Sequence, residues 1–341
     1  MRNEILNVVT TFSGCGGSSL GYELANCKVL LSIDFEPNAV KTYKMNFPNT
    51  ISWQKNIREV TGQMILDAIG MKKGELDILD GSPPCTPFST SGMREKGWGK
   101  PYKHSSESTS QITDDLFFEQ IRLIKEIEPK VFLCENVQGM LVGPSKGYFN
   151  EILKAMKDIP NYNVRVYKVN AKNFEVAQSR PRLIFIGFRK DIKLPNIGPM
   201  PKHHKKISAG EACKGVINSK EDLEIAIKFA QRAIPKKWLK HLKPGQYISE
   251  IHPKRSLWNY CRLHKDKPAQ TILAGSDGQM YHWSENRSIT LAECKRLSSF
   301  PDDFKFLNWV DGWIRIGNSV PPNLIKNMCL FIQDILTKQS E

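Results

Sequence analysis

Short apolar runs alternate with amphipathic segments through the first half of the chain. Five short apolar runs predict strands, at residues 5–12, 28–34, 76–80, 131–136 and 183–188. Apolar spacing and flanking prolines predict helices over residues 18–27, 37–47 and 114–129. Strand–helix alternation implies right-handed crossovers. We therefore expect an α/β fold with a doubly wound, mostly parallel sheet.

The alternation weakens after residue 189, where proline, glycine and basic residues become frequent. One helix is expected near residues 221–232, and a last amphipathic helix after Pro322. Thr290 and Glu293 have capping-box spacing, which predicts the start of another helix. The predicted division is a larger domain of residues 1–188 plus 305–341, and a smaller, irregular domain of residues 189–304.

Composition is ordinary for a soluble globular protein, since 40% of the 341 residues are hydrophobic and 25% are charged. No apolar run approaches the roughly 20 residues that span a bilayer. The N-terminal apolar stretch is typical of a first strand and not of a signal peptide. The eight cysteines are scattered without a C-x-x-C pair, which argues against a zinc site or a disulfide framework. We therefore expect no metal and a reducing cytoplasmic location.

The positive charge of the chain is concentrated in its middle. Residues 201–270 hold 16 Lys and Arg against 6 Asp and Glu, which gives +10 of the net charge of +14. Such a basic segment is typical of a nucleic-acid partner. A solvated, lysine-rich surface is the alternative that charge alone leaves open.

A glycine-rich turn follows the first predicted strand, where an open parallel sheet binds its ligands. Glycines allow a tight turn and close approach of a ligand, and Asp34 at the end of the second strand is placed to hold a ribose. The turn lacks full G-x-G-x-x-G spacing, so a dinucleotide is not favoured, and a purely structural turn remains the alternative. The turn comprises Phe12, Ser13, Gly14, Cys15, Gly16 and Gly17.

A thiol and a carboxyl are predicted at the same edge of the sheet. Cys85 follows two prolines at a strand exit in DILDGSPPCTPFST (77–90), and Glu135 ends the strand 131–136. This pair suggests a covalent step with proton handling. Arg180 and Arg182 precede the strand 183–188 and would supply the cation that favours a thiolate. Taken singly, Glu135 is more often a surface carboxylate and the two arginines more often a salt-bridged rim.

Six motifs, in order, resemble those of the C5-cytosine DNA methyltransferase family. They are FSGCGG (12–17), GSPPCTPFS (81–89), ENV (135–137), QSRPR (178–182), RSITLAECKRLSSFPDDF (287–304) and IGNSVPP (316–322). The resemblance implies a class I AdoMet methyltransferase fold. It implies methyl transfer from S-adenosylmethionine to C5 of a flipped-out cytosine, with S-adenosylhomocysteine as product.

The resemblance also implies roles for the four candidate catalytic residues. Cys85 would add to C6 of the cytosine, and Glu135 would hold its N3/N4 edge. Arg182, with Arg180, would contact O2 and supply positive potential near the sulfur. The loop from Cys85 to about Thr113 has the composition of a mobile lid.

For the cofactor, the resemblance implies an adenine stacked on Phe12, a ribose held by Asp34, and Phe35 and Ile57 flanking the adenine. Asn56 stands where the family commonly has an acid for the adenine amino group, so we expect weaker or altered contact there. The remaining implied pocket residues are Pro84, Leu116, Asn318, Ser319 and Val320.

The implied partner is double-stranded DNA, read by the domain at 189–304, while the larger domain binds the cofactor. A stand-alone bacterial enzyme is expected, monomeric and nucleoid-associated, with a cognate restriction endonuclease that acts separately and no membrane partner. A tRNA cytosine methyltransferase and a catalytically silent DNA-binding relative are the alternatives. A nicotinamide dehydrogenase explains neither Cys85 nor the basic middle.

Overall fold

A seven-stranded sheet organises the first of two units in this computed structural model, in the order β3-β2-β1-β4-β5-β7-β6. The structure describes residues 5–84, 115–142, 145–194, 204–255, 260–275 and 279–337. The strands are β1 (Asn7–Thr11), β2 (Lys28–Asp34), β3 (Ile51–Gln54), β4 (Ile78–Gly81), β5 (Val131–Val137), β6 (Tyr162–Asn170) and β7 (Pro181–Arg189).

Helices connect the strands and cover the sheet. They are α1 (Gly17–Leu24), α2 (Pro37–Asn46), α3 (Gly62–Ile69), α4 (Leu116–Ile127) and α5 (Ser145–Lys157). Local sequence sets their ends. The Glu36 side chain caps α2, whose first residue is proline, and the Thr61 hydroxyl accepts the Met64 N–H at the start of α3. Gly70 ends α3 in a left-handed conformation that glycine adopts without strain.

The predicted α/β fold is confirmed, and the pairings of β1 with β2 and β4, of β2 with β3 and of β4 with β5 are parallel. β7 pairs with β5 in the antiparallel sense. The physical reason lies in its connection, because the segment 171–180 between β6 and β7 contains only a short 3-10 turn and no crossover helix. Strands β1, β4 and β5 hold the core, with most of their side chains fully buried.

The second unit is mainly helical. Its elements are α6 (Ala209–Ala212), α7 (Lys220–Ala230), α8 (Ala233–Trp238), α9 (Ile248–Ile251), β8 (Cys261–Arg262), β9 (Met280–Tyr281), α10 (Leu291–Leu297) and α11 (Trp309–Asn318). The predicted capping box of Thr290 and Glu293 is present at the start of α10. A final helix, α12 (Pro322–Thr337), begins in the second unit and continues into the first.

Packing divides the chain at different residues from the predicted domains. The first unit comprises Met1–Val169, Pro181–Lys202 and Leu324–Glu341, and the second comprises Asn170–Arg180 and His203–Asn323. Residues 305–323 therefore pack with the second unit. There α11 lies so close to α10 that a Cβ added at Gly312 would be 2.8 Å from the Leu291 side chain. The functional division into cofactor and DNA domains stays a prediction.

Membrane spans and metal clusters are both missing from the described ranges. None of the helices found there has the length and apolar character needed to cross a membrane. No cluster of His, Cys, Asp and Glu there has the arrangement of a metal site.

A buried ion pair fixes α10 in the second unit. Both nitrogens of the Arg287 fork donate to the Glu293 carboxylate, at 2.9 and 2.8 Å, and the two side chains are only 5% and 4% exposed. Glu293 also accepts the Thr290 N–H at 2.9 Å. Because both side chains are buried, removal of one partner would leave the charge of the other buried without compensation.

We expect Arg287→Met to lose about 3–5 kcal/mol of unfolding free energy, because it leaves Glu293 buried without its cation. Arg296→Met is the matched control, since Arg296 pairs with Asp302 at the surface, with the side chains 26% and 61% exposed. That control should lose about 1 kcal/mol or less. Urea denaturation measures both, and equal losses would contradict the role given to the buried pair.

Candidate functional site

The carboxyl ends of four neighbouring strands lie side by side at one edge of the sheet. Thr11 of β1 aligns with Ile33 of β2. On its other side Thr11 aligns with Gly81 of β4, and Gly81 aligns with Cys134 of β5. This edge therefore gathers the glycine turn, the end of β2, the exit of β4 and the end of β5.

The backbone conformation of the turn requires glycine. Gly16 has a φ of +99°, and a Cβ added there would lie 2.3 Å from the buried ring of Phe47. Gly14 has a φ of +55°, and no atom lies within 4 Å of where its Cβ would be. The turn thus packs tightly at Gly16 and has open space at Gly14.

Hydrogen bonds tie the turn to the end of β2. The Ser13 N–H and hydroxyl both donate to the Ile33 carbonyl, at 3.0 and 3.2 Å. The Asp34 carboxylate accepts the Gly14 N–H at 2.7 Å and the Glu36 N–H at 2.8 Å. These two bonds hold the Asp34 carboxylate beside the glycine turn.

The other implied cofactor residues of the first unit fall into two groups. Phe12, Phe35 and Asn56 are partly exposed at the ends of β1, β2 and β3. The Asn56 amide oxygen already accepts the Arg58 N–H at 3.2 Å, so any contact to an adenine amino group shares that oxygen. Ile57 and Leu116 are at most 4% exposed and form part of the core, as does Cys15 at 1%.

Glu135 and Arg182 form an ion pair. They lie diagonally on one face of the β5–β7 ladder, since Val137 is opposite Arg182 and Glu135 opposite Ile184. Arg182 Nε is 2.5 Å from the Glu135 carboxylate, and both side chains are about one-tenth exposed. Arg182 Nη1 also donates to the Pro181 carbonyl at 2.8 Å. Two of the four candidate catalytic residues are therefore in contact.

Arg180 belongs to the second unit and is 3% exposed. Its guanidinium donates to the carbonyls of Ile272 and Gly317, at 3.1 and 2.9 Å. These bonds join chain segments that are far apart in sequence, which indicates a structural role for Arg180. Its contact with the base stays a prediction.

Cys85 lies outside the described residues, as does the loop to Thr113. The segment that leads to Cys85 is held in place, because Asn136 Nδ2 donates to the Pro83 carbonyl at 3.3 Å. Pro84, the last described residue before the cysteine, is exposed. The chain thus approaches Cys85 from β4, next to the strand that carries Glu135.

Asn318 is the last residue of α11 in the second unit, and Ser319 and Val320 follow it. The Ser319 N–H donates to the Ile316 carbonyl at 3.2 Å, and Val320 is buried while Asn318 is exposed. Their predicted contribution to the cofactor pocket stays a prediction.

Sequence reasoning missed one ionisable group at this edge. Asp80 in β4 is 1% exposed and accepts the Tyr22 hydroxyl at 3.1 Å. Burial raises the pKa of Asp80 to about 7, the hydrogen bonds from Tyr22 and Ser18 oppose the shift, and the charge of Glu135 adds to it. An acid inside an apolar strand was the available signal, in 76-LDILDG-81.

Known proteins resemble the chain over nearly its whole length. A family model for C-5 cytosine-specific DNA methylases matches residues 6–333. The Type II methyltransferase M1.HphI of Haemophilus parahaemolyticus is 31% identical over 94% of this chain and 84% of its own. M.NgoPII of Neisseria gonorrhoeae, also a Type II methyltransferase, is 29% identical over 98% of this chain and 97% of its own. A protein encoded within an Escherichia coli prophage has the same fold, with a TM-score of 0.74 and 23% identity over 98% of this chain and 100% of that chain.

We expect Asp80→Asn to be more stable than the wild type above pH 7, because the amide can accept from Tyr22 without a buried charge. Asp80 holds its proton more tightly when folded, at a pKa of about 7, than when unfolded, at about 3.9. Wild-type stability therefore falls as pH rises through this window. The advantage of the variant should grow by a few kcal/mol between about pH 4 and 7, because a tenfold difference in proton affinity corresponds to about 1.4 kcal/mol. Urea denaturation at pH 5 and 8 tests this, and a pH-independent difference would contradict it.

Proposed function

Because the chain belongs to the C-5 cytosine-specific DNA methylase family, we propose that Cys85, Glu135 and Arg182 carry out its reaction, methylation of cytosine C5 in DNA. The observation that supports these roles is the Glu135–Arg182 ion pair at the carboxyl edge of the sheet, on the strand next to β4 and its exit toward Cys85. A paired carboxylate and guanidinium can present an acceptor and a donor to one edge of a base.

The thiol starts the reaction in this proposal. Cytosine C5 is a poor nucleophile, and addition of the Cys85 thiolate to C6 turns the ring into an enamine whose C5 can attack a methyl group. Glu135 shares a proton with N3 as the thiolate adds, which relieves the charge that develops on the ring. Arg182 orients Glu135 and donates to O2.

The end of the reaction restores the enzyme. A base removes the C5 proton, the electron pair of that bond re-forms the C5–C6 double bond, and the Cys85–C6 bond breaks to release the thiolate. The N3 proton returns to Glu135. The net change is replacement of the C5 hydrogen by a methyl group.

The family is AdoMet-dependent, and we place S-adenosylmethionine at the glycine turn. Its sulfonium supplies the electrophilic methyl group. The open side of Gly14 and the adjacent Asp34 carboxylate suit close approach of a ribose. Phe12, Phe35 and Asn56 are accessible at the same edge for the adenine, with Ile57 and Leu116 as the core beneath it.

Duplex DNA buries C5 and C6 in the base stack, so the target cytosine has to be flipped out, at a cost of a few kcal/mol. Contacts to phosphates and to the displaced partner base offset that cost. The second unit offers cations next to aromatic rings: Lys237 Nζ lies 5.1 Å from the Trp238 ring centroid, and that ring lies 5.0 Å from His252. Such mixed surfaces suit backbone and base contacts.

The two relatives named above are Type II methyltransferases. We extend that context to this chain and propose a monomeric modification enzyme in the bacterial cytoplasm, with a separate cognate endonuclease. A tRNA substrate and a silent DNA-binding role are the outcomes that the experiments below would reveal instead.

Incubation with S-adenosylmethionine and unmethylated genomic DNA should place 5-methylcytosine within one short sequence motif, because the second unit reads bases before chemistry occurs. Bisulfite sequencing locates the product. Absence of DNA methylation together with methylation of tRNA would replace DNA by tRNA as the substrate. Absence of methylation on both DNA and tRNA would indicate a catalytically silent DNA-binding relative.

Cys85→Ser should abolish methylation and retain S-adenosylmethionine binding, measured by calorimetry, because the hydroxyl is a far weaker nucleophile than the thiolate. A duplex with 5-fluorocytosine at the mapped target should form a covalent adduct with the wild type, since fluorine cannot leave as a proton. Cys213→Ser is the control, because Cys213 is a half-buried thiol in the second unit, and it should still be trapped. Adduct formation by Cys85→Ser would overturn the nucleophile assignment.

A further inference from the structure

A cleft in the second unit is lined by lysines that the proposed chemistry does not use. Its volume is about 420 Å³, and its walls are Lys172, Ser179, Lys206, Ser208 and residues 266–268. Lys172 and Ser179 lie outside residues 189–304, where the sequence predicts DNA contacts. Four separate segments of chain therefore converge on one cavity.

Backbone hydrogen bonds build the walls of this lysine cleft. The Ser179 N–H donates to the Ala269 carbonyl at 2.7 Å, and the Ala269 N–H donates to the Ala177 carbonyl at 2.8 Å. The Ala209 N–H donates to the Lys267 carbonyl at 2.9 Å. The segments that carry the lysines are thus fixed relative to one another before any ligand arrives, which reduces the ordering entropy lost on binding.

The charge of the lysine cleft is poorly compensated. Lys172, Lys206 and Lys267 have no ion-pair partner within 4.0 Å among the described residues, whereas Lys205 next to them pairs with Glu211 at 3.6 Å. Asp266 is the one acid of the lining, so the cleft keeps a net charge of +2. Lys206 and Lys267 are exposed and Lys172 is partly exposed at this cleft, and a net positive charge there attracts an anion.

The two hydroxyls of the cleft are also arranged for an anion. The Ser179 Oγ accepts from Asn170 Nδ2 at 3.2 Å, and the Ser208 Oγ accepts the Glu211 N–H at 3.1 Å as the cap of α6. Each oxygen already acts as an acceptor, which leaves its hydrogen to be donated. The lining therefore offers three ammonium groups and two hydroxyl donors, and both kinds of group bind phosphate oxygens.

The chain connects this cleft directly to the catalytic segment. Ser179 immediately precedes Arg180, and Arg182, the partner of Glu135, follows three positions after Ser179. A polyanionic substrate whose base contacts Arg182 has backbone phosphates on both sides of that base. DNA is therefore the anion that the position favours.

We infer that the lysine cleft binds a phosphodiester of the DNA backbone next to the target cytosine, with Lys172, Lys206 and Lys267 as its cations. This inference rests on the proposed function, because the DNA is the substrate of that reaction. The contact positions the duplex and carries no sequence information.

The test replaces the three lysines by glutamine in the Cys85→Ser protein, so that binding is measured without turnover. The control replaces Lys28, Lys44 and Lys157, which are exposed and stand at the start of β2 and in the last turns of α2 and α5. Lys28 begins β2, while Lys44 and Lys157 precede β3 and β6, so all three lie toward the amino ends of strands and away from the carboxyl ends at the candidate site. Both triple variants lose the same charge.

Fluorescence anisotropy with a labelled target duplex gives the dissociation constant across a salt series. The cleft variant should bind at least about tenfold more weakly at 0.1 M salt, as expected for loss of charged hydrogen bonds. Its slope of log K against log salt should fall by about 1, the effect of one phosphate contact. Slopes and affinities equal to those of the control would overturn the inference.

A methylphosphonate scan locates the contact. Each duplex carries one neutral linkage, and one position beside the target should weaken binding by the Cys85→Ser parent but not weaken the cleft variant further. Identical scans for both proteins would show that the cleft takes a free phosphate compound or nothing, and not the DNA backbone. Failure of the proposed reaction would appear instead as a blank methylation map with DNA binding intact.

Discussion

The hydrogen-bonded register of β2, β1, β4 and β5 is the constraint on which the site depends. Parallel pairing places Ile33, Thr11, Gly81 and Cys134 in one row across the sheet. Residues just beyond that row meet at one edge, although more than 100 residues separate the first from the last. A shift of one residue in any of these ladders would turn its side chains to the other face.

Much of this arrangement could be predicted from sequence because the central strands are buried on both faces and read as continuous apolar runs. The strand predicted at 28–34 has those bounds in the structure. β3 was not predicted, since ISWQ is four residues long and partly exposed, and so has no clear pattern. α11 was missed for a different reason. Gly312 and Gly317 lower its helix propensity, although Asn308 caps its start by accepting the Asp311 N–H.

The site was predictable in its residue types but not in its pairings. Glu135 and Arg182 were both named, yet their contact depends on β7 running antiparallel, which only the short connection from β6 decides. Arg180 resembled Arg182 in the motif, but its guanidinium binds the carbonyls of Ile272 and Gly317. Such partners lie far along the chain and leave no local pattern. Asp80 stands out as an acid inside an apolar run, but its burial and its hydrogen bond from Tyr22 depend on segments that are distant in sequence.

The position of α12 has a consequence for how the protein is made. Its Leu324, Ile325, Met328 and Ile332 are fully buried. Gln333 donates to the Ala25 carbonyl across a sequence separation of 308 residues. During synthesis, the sheet of the first unit emerges from the ribosome long before this helix. The apolar surface of the first unit that α12 covers stays exposed while the second unit is translated. The first unit can complete its core only after the second has had time to fold, so the two are coupled in the order of their biosynthesis.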